Sequence, residues 1–344
     1  MTPGLASALV PLLRQVDPET AHRLSLYALR FGLAGRDGSG DDPCLAVNAF
    51  GRRLRNPIGL AAGFDKNAVA VTALGRLGFG FVEAGTVTPR PQAGNPRPRL
   101  FRLLEDQAVI NRMGFNNAGL DMFLSNLRRA DRALVALGAN VGINKEGADP
   151  ERDYPALVNA VSPYADYITV NISSPNTPNL RDLQSEARLI GILDAIATDT
   201  PVFVKIAPDL SDDGLASVVE VCAARKVAGL IISNTTITRP GHLQSAYKAE
   251  AGGLSGRPLF EISTKMLAQA YKLSAGRLML IGVGGVSSPE DALAKILAGA
   301  SLVQVYTAFA YEGPALVSRL KTGLAALLKA RGFATLMDAI GAGV

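Results

Sequence analysis

Residues 278–297 read LMLIGVGGVSSPEDALAKIL, and most of the chain repeats the pattern of this stretch. The apolar run 278–282 predicts a short buried strand, the glycines of 282–285 predict a tight turn, and a helix is predicted from near Ser288 to Leu297. The turn leaves backbone N–H groups free beside the positive end of the helix, an arrangement that binds phosphate. A phosphate site and a plain turn both account for the glycines.

The same strand–turn–helix pattern occurs seven more times. The other predicted strands lie at 58–60, 80–83, 139–143, 167–171, 202–205, 229–233 and 302–305. The other predicted helices lie at 68–77, 117–137, 154–161, 186–197, 214–224, 260–274 and 314–329. Strands that alternate with helices imply a parallel sheet, and eight evenly spread units predict closure into a (β/α)8 TIM barrel. A doubly wound open sheet is the alternative, which the even spacing and the late glycine turn disfavour.

The composition excludes several classes of protein. Of the 344 residues, 48% are hydrophobic and 19% are charged, so the chain can bury a large core and is not intrinsically disordered. Two cysteines and two histidines are too few for a disulfide framework, a four-ligand zinc site or an iron–sulfur site, and we predict no metal centre and a reducing compartment. The net charge of +5, without tryptophan or interleaved aromatic residues, predicts no nucleic-acid partner.

Charge and hydropathy patterns add three expectations. The arginine clusters at 52–55 and 97–102 are interpreted as solvated faces. No run reaches the roughly 20 apolar residues that a membrane span needs. The apolar residues 5–13 have no basic residue ahead of them, so no secretory signal is predicted.

The first 40 residues differ in pattern from the repeats. Apolar residues at helical spacing predict one short amphipathic helix before residues 17–19 (DPE), which predict the start of a second helix that ends at Gly32. Residues 35–42 (GRDGSGDD) predict a flexible linker. We therefore divide the chain into a helical pair at 1–40 and a barrel at 41–344. The pair is either a cap on the barrel, which the composition favours, or a surface that enters a membrane interface.

Polar or glycine-rich residues follow all eight predicted strands. In a barrel of this kind the carboxyl ends of the strands meet at one rim, which carries the active site. The rim segments are 61–67, 83–86, 140–144, 171–177, 205, 233–236, 282–285 and 306–307.

Two rim lysines follow apolar stretches, where a charge is costly unless it meets an anion or an electron-rich ring. Lys205 could place its charge beside a flavin ring and stabilise the reduced anion, or it could extend to the solvent at the rim. Lys66 is the other of these two lysines.

The rim asparagines indicate the kind of substrate. Each amide offers a donor and an acceptor together, which matches a ring with N–H and C=O groups such as a pyrimidine. These asparagines are Asn111, Asn171, Asn176 and Asn234. Ser174 is the remaining candidate for proton transfer, although a serine in a proline-containing turn also explains it. We interpret His242 as a surface loop residue.

These residues lie in motifs that match one family. The matching segments are NPIGLAAGFDKN (56–67), EAGTVTPRPQAGNPRPRLFRL (83–103), INRMGFNN (110–117), VNISSPNTPNLR (170–181), VKIAPDL (204–210), NTT (234–236), GGLSGRPL (252–259), IGVGGV (281–286) and VQVYTA (303–308). In these segments the chain resembles the class 2, quinone-dependent dihydroorotate dehydrogenases. The resemblance implies a barrel that holds FMN and oxidises dihydroorotate to orotate in pyrimidine synthesis.

The resemblance also implies roles for individual residues. Ser174 would be the catalytic base, where class 1 relatives carry cysteine. The implied substrate shell is Lys66, Asn111, Arg112, Met113, Gly114, Phe115, Asn171, Asn176, Asn234 and Thr235. The implied FMN shell is Ala62, Gly63, Phe64, Asp65, Lys66, Thr86, Asn140, Asn171, Lys205, Ser233, Gly256, Gly285, Tyr306 and Thr307.

For the N-terminal helical pair, the resemblance implies a tunnel that admits a membrane quinone to FMN. His22 and Arg102 would hold a quinone carbonyl. The protein would then be a monomer that associates peripherally with the cytoplasmic face of the cell membrane. Two alternatives stay open: a soluble flavin dihydroorotate dehydrogenase that uses fumarate or NAD, and a membrane-associated phosphate-binding barrel without enzymatic activity.

Overall fold

The computed structural model describes residues 1–344, and thirteen strands run through them. The strands are β1 (Val47–Ala49), β2 (Arg52–Leu54), β3 (Ile58–Leu60), β4 (Phe81–Val87), β5 (Leu100–Leu103), β6 (Ala108–Asn111), β7 (Ala136–Val141), β8 (Tyr167–Asn171), β9 (Val202–Ile206), β10 (Gly229–Ile232), β11 (Gly253–Gly256), β12 (Met279–Val283) and β13 (Leu302–Val305).

Eight of these strands form one closed parallel barrel. Their order around the barrel is β3-β4-β7-β8-β9-β10-β12-β13, and β13 pairs with β3 to complete it. The strands are buried almost throughout, because side chains fill the interior and helices cover the outside. The predicted (β/α)8 barrel is confirmed, and the closed sheet excludes the doubly wound alternative.

Thirteen α-helices accompany the strands. They are α1 (Pro3–Ala8), α2 (Val10–Leu13), α3 (Pro18–Arg30), α4 (Val71–Arg76), α5 (Leu120–Leu127), α6 (Pro150–Val161), α7 (Glu186–Asp194), α8 (Asp212–Ala224), α9 (Phe260–Ser274), α10 (Pro289–Leu297), α11 (Thr307–Glu312), α12 (Ala315–Ala330) and α13 (Leu336–Ala339). The predicted helix at 117–137 was too long, because α5 ends at Leu127, turns follow, and β7 already begins at Ala136.

Two small antiparallel elements lie outside the barrel, and the sequence did not predict them. β5, β6 and β11 form a three-stranded sheet. β1 and β2 form a hairpin whose turn carries Phe50. The Phe50 ring stacks on Tyr167 with centroids 4.1 Å apart and also contacts the rings of Phe81 and Phe203. Because these three residues lie at or next to the first residue of their strands, Phe50 closes the amino-terminal end of the barrel.

The N-terminal helices are capped locally and hydrogen-bonded to the barrel. Asp17 caps α3 by accepting a hydrogen bond from the Thr20 backbone N–H at 2.9 Å, which confirms the predicted start of this helix. The predicted first helix is divided between α1 and α2. Ser7 Oγ accepts from the Ala315 backbone N–H at 2.9 Å, and Arg14 donates to the carbonyl of Tyr311. No helix in the structure is both long and apolar enough to cross a bilayer.

The segment 35–42 is held firmly, contrary to the predicted flexible linker. Lys321 of α12 is 1% exposed and donates from Nζ to Asp37 Oδ2 at 2.6 Å and to Asp41 Oδ1 at 2.9 Å. It also donates to the carbonyl oxygen of Gly40 at 3.1 Å. Composition alone could not predict this anchor, because the lysine that forms it lies far away in the sequence.

Candidate active site

One cavity of about 670 Å³ lies at the carboxyl ends of the barrel strands, between the barrel, α3 and the β5–β6–β11 sheet. Most residues of the predicted site meet in its wall, because the strand ends converge there. Those in the wall are His22, Ala62, Gly63, Lys66, Thr86, Asn111, Met113, Gly114, Phe115, Asn171, Ser174, Asn176, Lys205, Ser233, Asn234, Thr235, Gly256, Gly285, Tyr306 and Thr307.

Two residues of the predicted cofactor set, Phe64 and Asp65, are buried outside the cavity wall. The Asp65 carboxylate accepts hydrogen bonds from the backbone N–H groups of Val69 at 2.8 Å and Ala70 at 2.7 Å, so it fixes the loop after β3. Burial raises the pKa of Asp65 despite these hydrogen bonds. The Phe64 ring packs edge-on against His22, with centroids 5.0 Å apart. The structure therefore places both residues behind the wall rather than in it.

Arg102 and Arg112 also lie outside the cavity wall. Arg102 donates from Nη1 to the backbone oxygens of Arg14 and Val16, each at 2.8 Å, and so binds the segment after α2 to the sheet. Arg112 donates from Nη1 to Glu250 Oε2 at 2.7 Å. The resemblance implied a quinone contact for Arg102 and a substrate contact for Arg112. In this structure both guanidinium groups bind protein partners, and the two implied contacts stay predictions.

The four predicted asparagines form two hydrogen-bonded pairs. Asn176 Nδ2 donates to Asn111 Oδ1 at 3.2 Å, and Asn234 Nδ2 donates to Asn171 Oδ1 at 3.3 Å. Asn171 also donates from Nδ2 to Thr86 Oγ1 at 3.1 Å. All five residues line the cavity. A ring with amide N–H and C=O groups would therefore meet both donors and acceptors in the wall.

Ser174 lies in the same wall and is 7% exposed. Its Oγ accepts a hydrogen bond from the Asn176 backbone N–H at 3.3 Å, and no histidine or carboxylate hydrogen-bonds to it. The second histidine of the chain, His242, is exposed, which agrees with its interpretation as a surface loop residue. Ser174 is therefore a hydroxyl in the cavity without the histidine partner of a catalytic triad.

A charged cluster joins α3 to the wall beside Lys66. Glu19 accepts from Arg99 Nη2 at 2.8 Å and from Arg97 Nε at 2.9 Å, and Arg99 is only 6% exposed. Burial lowers the pKa of Lys66 to about 8; the Glu19 carboxylate opposes this shift and Arg99 adds to it. Burial also lowers the pKa of His22 to about 3, with a contribution from the Lys66 charge, so the imidazole is neutral.

Sequence reasoning missed Glu19 and Arg99 as cavity residues. Both line the wall, and the burial of Arg99 contradicts the interpretation of the cluster at 97–102 as a wholly solvated face. Their ion pair joins positions 80 residues apart, and no local pattern in the sequence signals such a pair.

Glu83 is a buried carboxylate inside the barrel. The sequence pattern predicted this residue at the rim. Its Oε1 accepts from Asn140 Nδ2 at 2.6 Å, and its Oε2 accepts from Gln304 Nε2 at 2.7 Å and Tyr167 Oη at 3.1 Å. Asn140 belongs to this inner layer and lies outside the cavity wall. Lys205, in the wall, makes no hydrogen bond within the chain. Burial lowers its pKa, and the Glu83 charge opposes the shift.

Several buried polar atoms of the wall have no partner in the chain. They are Thr235 Oγ1, Gln304 Oε1 and Asn116 Oδ1, and all three residues line the cavity. Because an unpaired buried polar atom costs about 1–3 kcal/mol, a wall with three of them is suited to a polar ligand. A flavin ring, with its own N–H and C=O groups, fits this donor and acceptor set.

The glycine loop after β12 supplies unpaired donors. No hydrogen bond within the chain satisfies the backbone N–H groups of Gly284 and Gly285. Gly285 has a φ of +77°, and a Cβ there would lie 2.5 Å from Phe260 Cβ, so only glycine fits. The adjacent start of α10 is capped by its own residues, since Ser288 and Asp291 bond each other's backbone N–H groups. The glycine loop therefore has the free donors that a nucleotide phosphate needs.

Comparison with known proteins identifies relatives over the whole chain. A family model described as dihydroorotate dehydrogenase matches residues 44–328. A protein of Xanthobacter autotrophicus named dihydroorotate dehydrogenase (quinone) is 53% identical over 99% of this chain and 99% of its own length. A protein of the same name from Rhodospirillum rubrum is 52% identical over 96% of this chain and 93% of its own length.

Solved structures agree with these sequence relatives. The crystal structure of DHODH from Eimeria tenella in complex with ferulenol superposes with a TM-score of 0.91 at 41% identity and covers 96% of this chain and 98% of that one. The ligand-free form from the same organism gives a TM-score of 0.90 at 42% identity, over 95% of this chain and 99% of that one. The barrel, the cavity and these matches together show that the chain belongs to the dihydroorotate dehydrogenase family, and within it to the quinone-dependent class 2.

Proposed function

We propose that this chain oxidises (S)-dihydroorotate to orotate, with FMN as its cofactor and a membrane quinone as the final electron acceptor, in pyrimidine synthesis. The observation that carries the proposal is the cavity of about 670 Å³, whose wall beneath α3 contains the asparagine pairs, Ser174, Lys205 and the glycine loop. The quinone in the proposal comes from the printed names of the relatives that match the chain over nearly its full length.

For FMN we propose a shell built from the wall residues of the predicted set. It consists of Ala62, Gly63, Lys66, Thr86, Asn171, Lys205, Ser233, Gly256, Gly285, Tyr306 and Thr307, with Asn140 behind them. When bound, FMN supplies a two-electron acceptor for the hydride that leaves the substrate. Lys205 contributes a positive charge without a hydrogen-bonded counterion, which would stabilise negative charge on a reduced ring. Phe64 and Asp65 support this shell from behind.

For the substrate we propose the wall formed by Asn111, Asn171, Asn176 and Asn234, together with Lys66, Met113, Gly114, Phe115 and Thr235. The paired amides orient a ring by its N–H and C=O groups. Lys66 supplies a positive charge for the carboxylate of dihydroorotate. The unpaired Thr235 Oγ1 offers one further hydrogen bond.

We propose Ser174 as the base that removes the proton from the ring carbon next to the one that loses hydride. A serine hydroxyl is a weak base, so it must hold this proton only transiently and pass it on to water or a neighbour. Its burial and its hydrogen bond from the Asn176 N–H fix the position of Oγ. Asn176 also bonds Asn111, which would align the base with the ring.

For the quinone we propose a path beneath the helices of residues 1–40, with the remainder of the chain as the FMN-binding unit. Of the sixteen large apolar residues that are exposed, nine lie between Met1 and Leu33. An exposed apolar face of this kind would bury itself in a membrane interface, so we propose peripheral association with the cytoplasmic face of the cell membrane, as a monomer. His22 lines the cavity at the base of this unit as a neutral ring.

The first experiment is to purify the full chain in detergent, release its flavin and identify it by chromatography. We then expect dihydroorotate to bleach the bound flavin anaerobically and a short-chain quinone to restore its colour. Fumarate and NAD, the acceptors of the soluble alternative, should restore it far more slowly. A colourless protein, or one reoxidised equally well by fumarate or NAD, would contradict the proposal.

The base assignment has its own prediction. Ser174→Ala should bind orotate normally but bleach the flavin at least about 100-fold more slowly, because general-base catalysis is worth about 10²–10⁴-fold. Ser174→Cys should recover part of the rate as pH rises, since a thiol ionises near a pKa of about 8.5. Rapid-mixing absorbance measures both rates, and wild-type bleaching by Ser174→Ala would exclude Ser174 as the base.

A further inference from the structure

Two lysines of this molecule are fully buried, and their surroundings differ. Lys321 is 1% exposed and pairs with two carboxylates, Asp37 at 2.6 Å and Asp41 at 2.9 Å. Lys295 of α10 is 0% exposed and forms no ion pair. Because a buried charge is costly unless it is compensated, Lys295 needs an explanation that Lys321 does not.

The partners of Lys295 within the chain are all uncharged. Its Nζ donates to Ser263 Oγ at 2.6 Å, lies 3.5 Å from the carbonyl oxygen of Phe260 and sits 5.0 Å from the centroid of the Phe260 ring. Asp291, one turn earlier on α10, is the nearest acid along the helix. Its Oδ2 instead accepts from the N–H groups of Ser287 and Ser288 at 2.9 and 3.0 Å. Burial lowers the pKa of Lys295 well below its usual value, and the charge of Asp291 opposes this shift.

These same partners support the glycine loop in the cavity wall. Ser263 Oγ lies 3.2 Å from the carbonyl oxygen of Gly284, and the backbone of Phe260 packs directly behind Gly285. Lys295 is therefore connected to the loop through one hydroxyl and one aromatic residue. The loop lines the cavity, and no atom of the chain satisfies the N–H groups of Gly284 and Gly285. Lys295, which has no hydrogen-bonded anion, and the unsatisfied donors are therefore joined by one short loop.

We propose that Lys295 is a positioning residue for the phosphate of the flavin nucleotide. Its charge is balanced by that phosphate across the Gly284–Gly285 loop, and its contact with Ser263 holds the loop in its binding conformation. Lys295 thereby makes the site selective for a phosphorylated flavin over the unphosphorylated one. This inference rests on the proposed function, because it takes the cavity to be a flavin site.

The test compares FMN with riboflavin, which carries the same ring without the phosphate. One sample of the enzyme carries FMN, and in a second sample riboflavin replaces FMN by exchange. Each sample is diluted, and flavin fluorescence measures how much flavin is released. In Lys295→Met we expect FMN affinity to fall by about tenfold or more, the order expected for a partly buried charge pair. Riboflavin affinity should change by less than about twofold. Lys321→Met is the matched control, because it also removes a buried lysine charge but should leave the ratio of the two affinities unchanged.

The outcomes separate this inference from the proposed function. Equal weakening of both flavins, or of neither, in Lys295→Met overturns the role of Lys295 while the flavin site stands. A wild-type chain that binds neither flavin overturns both. If Lys295→Met does not fold, Ser263→Ala keeps the charge but removes the hydroxyl between Lys295 and Gly284. It should weaken FMN and not riboflavin, and equal weakening of the two again rejects the proposal.

Discussion

At the scale of single residues, Lys66 gives the substrate site a dependence on pH. Burial lowers the pKa of Lys66 to about 8, so its charge is complete below that pH and disappears as the pH rises through it. Because a carboxylate ligand binds the charged form, we expect orotate to bind the flavin-loaded enzyme about tenfold more weakly near pH 9 than near pH 7. Orotate titration followed by flavin absorbance measures this loss. Lys66→Met should bind weakly at both pH values, and a variant that keeps the wild-type pH slope would exclude Lys66 as its source.

Glu83 carries a prediction for stability. The wild-type carboxylate accepts three hydrogen bonds inside the barrel, and an amide in its place puts an NH2 group where an acceptor is needed. Glu83→Gln should therefore lower the free energy of unfolding by about 1–3 kcal/mol. Tyr167→Phe, which removes only one donor and leaves the carboxylate, should cost less. Denaturant unfolding of the two variants checks the order, and equal losses would mean that the carboxylate itself contributes little.

The role of a residue was predictable from sequence only where a general rule of the fold, the convergence of strand ends at one rim, places that residue in the site. Asn171 and Lys205 end neighbouring strands, so barrel closure alone brings them to one wall. Asp65 follows a strand too, yet its carboxylate turns back to cap its own loop, and a strand-end rule cannot distinguish the two cases. Arg102 of β5 and Arg99, which directly precedes that strand, bind different partners in the N-terminal segment, and nothing near them in sequence specifies those partners.

At the scale of elements, polar contacts join the N-terminal helices to the rest of the molecule. Arg102 binds the carbonyls of Arg14 and Val16, so Arg102→Met should detach the segment after α2 and raise its cleavage by a protease by about tenfold. Arg97→Met is the matched control, because Arg97 is 68% exposed in its ion pair with Glu19 and such pairs contribute little. Limited proteolysis of both variants measures the effect. Unchanged cleavage together with a raised KM for quinone would instead favour a direct quinone contact of Arg102.

The elements that the sequence predicted are those with a local signal. The barrel strands β3, β8 and β13 lie where their apolar runs predicted them, because a strand buried on both faces is apolar throughout. The β5–β6–β11 sheet has no such signal. Its strands have four residues each, and Ile110 pairs with Leu254, a partner far away in the sequence. Strands β5 and β6 show only a short alternation of buried and half-buried positions, which is too short to predict a strand.

At the scale of the whole molecule, the boundary between the N-terminal unit and the barrel can be tested by two deletions. Removal of residues 1–32 retains Asp37, Gly40 and Asp41 around Lys321, whereas removal of 1–40 leaves only Asp41. We expect both shortened chains to let dihydroorotate bleach the flavin while quinone turnover is lost. The longer deletion should unfold at a lower denaturant concentration, because it removes one partner of a buried ion pair. Full quinone turnover in the shorter deletion would mean that the helices are only a cap.

The anchoring of the N-terminal helices has a consequence during synthesis. Ser7, Arg14 and Asp37 bind Ala315, Tyr311 and Lys321, which lie between 284 and 308 positions later in the chain. At about 5–20 residues per second, a ribosome needs about 15–60 s to make those partners after the helices have emerged. For that interval the apolar residues that the folded protein buries, Val10, Ala21 and Leu29, have no barrel on which to dock. In the nascent chain these apolar residues are therefore exposed to chaperones and membranes before the barrel that covers them has been made.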